Sequence, residues 1–119
     1  MRIALWIFLL LFARQGLALP QVGCHLDYSG NESSIVIQPE GDALNGHWQE
    51  LGPFKLRGLL AAPNDRPPWL LLEVYALAAD DDYRMISSQK ISPPFSTGAM
   101  EVIEPMLGRS LHYDCRERQ

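Results

Sequence analysis

No stretch of ten or more residues in this 119-residue chain spaces its apolar side chains at three and four, so an amphipathic helical bundle is excluded. Internal repeats at solenoid period and low-complexity tracts are missing as well. Basic residues are scarce: 10 Lys and Arg stand against 14 Asp and Glu, a net charge of −4, and they form no cluster. Nucleic-acid binding is excluded on that ground, because phosphate contacts need a basic surface. The sequence holds no G-x-S-x-G, no Walker loop, no H-E-x-x-H and no C-x-x-C, so no recognised catalytic arrangement is present. Cysteine is limited to Cys24 and Cys115.

The apolar run that opens the chain, residues 3–13, is eleven residues without a charged or polar side chain. A membrane span needs about 20. The run follows Met1-Arg2 and precedes Arg14, with Gly16 and Ala18 as the small residues of a cleavage site. This is the order of a secretory signal peptide over residues 1–18, with a mature domain of residues 19–119. Removing Arg2 and Arg14 leaves 8 basic against 14 acidic residues, a net charge of −6. Gln21-Val22-Gly23-Cys24 partly matches a bacterial lipobox, with Gln21 where an aliphatic residue belongs. Lipidation at Cys24 would strand Cys115 as an odd thiol, so the soluble reading takes precedence. Two cysteines in an exported chain pair, and a Cys24–Cys115 bond would close nearly the whole mature domain.

Short apolar runs of period two, each stopped by Gly, Pro, Asn or Asp, recur along the rest of the chain. They predict strands over residues 24–28, 34–38, 47–51, 54–60, 69–77, 83–91 and 110–116. Residues 39–46, 62–68 and 92–98 are expected as loops, and Asp80-Asp81-Asp82 as a hairpin tip. Residues 99–107 are read as a strand or a short helical turn broken by Pro105. The segment 69–77 is the longest apolar run and is expected as a central strand covered on both faces, with Leu71, Val74 and Leu77 buried. Only here does helix propensity compete, because Leu and Ala are good helix formers. The fold class is a single antiparallel β-sandwich of about seven strands, its first and last strands linked by the disulfide.

Tyr113-Asp114-Cys115 is similar to the Tyr-x-Cys of the immunoglobulin tyrosine corner, with Trp48 in the place of that family's core tryptophan. The 24 positions from Cys24 to Trp48 depart from the family's spacing, and the fold assignment rests on the strand pattern alone.

The sharpest chemical constellation lies on the terminal strands. Period two puts Cys24, Leu26 and Tyr28 on one face and His25 and Asp27 on the other. Leu111, Tyr113 and Cys115 likewise oppose His112 and Asp114. If Cys24 lies across from Cys115, partner positions sum to 139, so His25 faces Asp114 and Asp27 faces His112. Imidazole and carboxylate together suit Zn or Cu. The plainer expectation is two cross-strand His–Asp pairs on a solvated face. Asn31-Glu32-Ser33 is an N-glycosylation sequon and also a turn sequence. Two proline pairs precede aromatics, in Arg66-Pro67-Pro68-Trp69 and Ser92-Pro93-Pro94-Phe95. Trp69 and Phe95 are therefore candidates either for a partner-binding rim or for plugs at the ends of the core.

The sequence thus points to a small exported, periplasmic or secreted, non-enzymatic β-domain without a cofactor. It is expected to bind another exported or envelope protein as an accessory subunit or inhibitor, and it is not an integral membrane protein. The alternative is a metal-binding protein using His25, Asp27, His112 and Asp114.

Overall fold

A computed structural model describes residues 20–41 and 45–118; the signal-peptide assignment and its boundary at residue 18 lie outside them. The chain runs β1 (Gln21–Tyr28), β2 (Asn31–Ile37), β3 (Pro39–Glu40), β4 (His47–Leu51), β5 (Phe54–Ala61), β6 (Trp69–Leu77), β7 (Tyr83–Ile91), β8 (Gly98–Ile103) and β9 (Ser110–Arg118). One sheet has the order β2-β1-β9-β8. The second runs β3-β5-β6-β7, with β4 also on β5. Every pairing is antiparallel except β3 with β5, where Pro39 and Glu40 run parallel to Leu60 and Ala61. The all-β sandwich expected from the strand pattern is therefore what the chain forms.

Local chemistry accounts for the turns. Ser29 and Gly30 both have positive φ, 52° and 85°, as a two-residue hairpin between right-twisted strands requires. Asp27 Oδ1 accepts the Gly30 N–H at 3.1 Å and holds that turn. Gly52, at φ 57°, ends β4, and any Cβ there would run into the Tyr28 ring. The sequence reading placed residues 31 and 32 in the first turn, but the tight hairpin lets β2 begin at Asn31. Residues 99–107 divide into β8 and a turn, because Pro105 cannot donate to the ladder.

Inward side chains of both sheets meet in one core. Val22, Leu26, Ile37 and Leu111 come from the first sheet, and Phe54, Leu56, Leu70, Leu72 and Val74 from the second. Tyr113, on the first sheet, donates its hydroxyl to Gln89 Oε1 of β7 at 3.2 Å. Burial pushes the Tyr113 phenol pKa up. Cys24 and Cys115 are directly opposed on β1 and β9, both buried, and joined in a disulfide. The bond thus ties the two central strands of one sheet.

Three expectations need correction. The strand β6 is central but covered on one face only: Leu70, Leu72, Val74 and Ala76 are buried, whereas Leu71 and Leu77 are only half-buried. The buried face, Leu70, Leu72, Val74 and Ala76, is wholly apolar, whereas the other face carries Glu73 and Tyr75 among Trp69, Leu71 and Leu77, so Glu73 marked the face without a layer above it. Trp48 is no core tryptophan. It is 51% exposed, on the outer face, in contact with Tyr75 at a ring-centroid distance of 5.3 Å. Phe95 is 2% exposed inside the core, so it cannot stand on a binding rim.

Candidate interaction surface

The register of β1 and β9 sets His25 opposite Asp114 and Asp27 opposite His112. The side chains then choose other partners. His25 Nε2 lies 3.3 Å from Glu32 Oε1 on β2, and His112 Nδ1 lies 4.0 Å from Glu101 Oε2 on β8. Asp27 is engaged by the β1–β2 turn, and Asp114 accepts from Arg116 Nη2 at 3.2 Å. Among the described residues no three His, Cys, Asp or Glu side chains converge on a metal-sized site. Glu32 lies diagonal to His25 across β1–β2, whereas Glu101 stands directly opposite His112 across β8–β9, so each histidine has a carboxylate offered from the strand on either side and takes the glutamate.

The outer face of the second sheet is rich in rings, and its cations lie on them. Lys55 Nζ is 3.9 Å from the Tyr83 centroid, and Arg57 is 5.8 Å from Trp48. Arg66 and Lys90 flank Trp69 at 5.5 and 5.1 Å. Arg57 also pairs with Glu73 at 2.7 Å. Long basic stems cover aromatic surface in this way while their heads stay wet. Trp69, the remaining rim candidate, is therefore half-buried beneath two cations.

A different surface stands out at the end of β8. Five large apolar side chains are exposed among the described residues, and three of them are consecutive features of one hairpin: Ile103 at 57%, Met106 at 74% and Leu107 at 73%. The turn that carries the last two is held from beneath. Glu104 is 5% exposed, and its carboxylate accepts the N–H of Met106 at 2.8 Å, the N–H of Leu107 at 3.0 Å and Arg109 Nε at 3.2 Å. Arg109 Nη2 also donates to Leu77 O, which fastens the turn to the β6–β7 end. Gly108 closes it with φ 70° and an N–H to Glu104 O. Sequence reasoning passed over this site. The signal was Glu104-Pro105 before two apolar residues and a glycine, a turn sequence with apolar residues where polar ones are usual.

Burial alone would raise the Glu104 pKa. The two turn N–H groups and Arg109 outweigh it and hold the pKa below the usual glutamate value. A lowered folded-state pKa stabilises above the unfolded value, about 4.3, and that contribution is lost as pH falls through the folded value. The Met106 and Leu107 amides are therefore expected to lose exchange protection as pH falls below the unfolded value of about 4.3 and through the lowered folded value, while Tyr113 in the core keeps its own. Glu104→Gln should abolish the transition. An acid-insensitive turn in the wild type would contradict the carboxylate's role.

Compared with family models, curated proteins and solved structures, the chain finds no match.

Proposed function

We propose that this chain is an exported, non-enzymatic module that binds another exported or envelope protein, as an accessory subunit or inhibitor, through the β8 hairpin. The single observation that carries the reading is the exposure of Ile103, Met106 and Leu107 on a turn anchored by Glu104 and Arg109. A pre-ordered turn costs little further entropy on binding, and methionine is enriched at interface cores. The signal-peptide pattern of residues 1–18 supports export, and a disulfide is compatible with an oxidising compartment. Both cysteines are in that disulfide, which leaves no thiol nucleophile. No helix among the described residues is long and apolar enough to cross a membrane.

The test is capture from native envelope or secretion medium by the tagged mature chain, with Met106→Ser/Leu107→Ser as the control. Burying two exposed apolar side chains is worth about 3 kcal/mol together, so the variant should bind about a hundredfold more weakly at an unchanged melting temperature. Equal capture by both proteins, or no specific capture by either, would remove the proposal.

A further inference from the structure

The four sheet edges are not alike. On one side of the sandwich β2 lies beside β4, and Gln38 N–H donates to His47 Nε2 across the seam at 3.2 Å. The other side is formed by β7 and β8. The edge strand β7, YRMISSQKI, carries Arg84 and Lys90 and a register irregularity at Ile86, opposite Val74 and Tyr75 of β6, all features that discourage further pairing. The edge strand β8, GAMEVI, has no Lys, Arg or Pro.

Glu104 N–H donates to Arg109 O, which fixes the alternation of the β8–β9 ladder. The main-chain N–H and C=O groups of Ala99, Glu101 and Ile103 then point away from β9, with no neighbouring strand on that side among the described residues. Half-buried Met100 and, across the sandwich, Ile86 and Ile91 offer apolar surface to whatever lies along that edge. We infer that β8 is a docking edge on which an extended segment of a partner protein adds as the next strand, with a basic residue opposite Glu101. A second copy of this chain is the poorer occupant. Antiparallel β8–β8 pairing centred on the outward-pointing residues Ala99, Glu101 and Ile103 sets Glu101 against Glu101, and like charges directly opposite are destabilising. Sliding the register one way sets Pro105 in the ladder, and sliding it the other way needs the Thr97 N–H, which is already given to Cys115 O. A segment bearing Lys or Arg removes that repulsion, and its main chain supplies the complementary hydrogen bonds.

The inference deepens the protein-binding reading and rests on it. A random-peptide display library panned on the mature, disulfide-bonded protein tests it without a known partner. Enriched peptides are expected to alternate apolar residues and to carry a central Lys or Arg. Bound as synthetic peptides, they should slow exchange of the Ala99, Glu101 and Ile103 amides. Glu101→Pro removes one outward N–H at a position where an edge tolerates proline, and should weaken them about tenfold with the fold intact. Peptides that leave those amides unprotected would overturn the inference, as would protection of β7 instead. A dimer formed through β8, or a library without a binder, would overturn it equally. If native capture still depends on Met106 and Leu107 while the β8 amides stay unprotected, the strand geometry falls and the binding reading stands.

Discussion

Loss of the disulfide is expected to cost about 4–5 kcal/mol by the chain-entropy relation for a 91-residue separation, with strain and denatured-state structure lowering the observed figure. Domains of this size have about 5–15 kcal/mol in total, so the change removes a large fraction of the stability. The position of the bond adds to its effect. Both cysteines are buried on the inner face of the two strands at the centre of one sheet, so a Cys24→Ser/Cys115→Ser protein also places two hydroxyls in the core. Urea unfolding of wild type, reduced wild type and the double serine variant is the measurement. The midpoint should fall in both altered forms, and further in the variant. A loss below about 1 kcal/mol would mean that the β1–β9 ladder holds without its covalent tie.

Phe95→Ala is expected to cost about 3–5 kcal/mol, the range for deleting a buried aromatic side chain. Phe95 is among the largest fully enclosed side chains and packs with Val102, Leu111 and the rest of the core cluster, although it lies in the loop before β8. Its φ of 56° is uncommon for a bulky residue, which places packing, rather than backbone preference, as the reason it sits there. Thermal unfolding should shift down by more than about 10 °C. Trp69→Ala, at the matching Pro-Pro-aromatic sequence, should cost far less, because Trp69 is half-buried and its contacts are surface cation–ring pairs. Equal effects at the two positions would contradict the different burial of these two aromatics.

The two ring-rich and apolar surfaces differ in how complete they are. On the outer face of the second sheet the aromatic rings have cations over them, supplied by the same chain. At the β8 hairpin the exposed side chains are aliphatic or methionine, and their support lies underneath, at Glu104 and Arg109. An apolar side chain left in water gains only when something covers it, whereas a ring beneath a lysine stem is already covered. Trp48 and Met85 still keep exposed area on the second sheet, at 51% and 52%, and the greater exposure of Met106 and Leu107, at 74% and 73%, is what favours the hairpin as the proposed binding surface.

Much of this was legible in the sequence. Strand alternation is a property of the backbone, so runs of period two bounded by Gly, Pro, Asn and Asp marked out most of the strands; β3 escapes this reading, and β8 stays open between a strand and a helical turn. One disulfide sets the register of two strands, and from Cys24 opposite Cys115 the His25–Asp114 and Asp27–His112 pairs followed by counting. Other features belong to the tertiary structure, because they depend on what lies across a gap and not along the chain. The parallel contact of β3 with β5 joins residues 39 and 60, with nothing local to signal it. Phe95 lies inside and Trp48 outside because of the space each meets, although hydrophobicity alone ranks both as core residues. The two histidines take glutamates on flanking strands in place of the aspartates opposite them. The exposure of Met106 and Leu107 likewise follows from Glu104 and Arg109 folding beneath the turn, an arrangement made only when β9 returns beside β8 and reaches Leu77 of the other sheet.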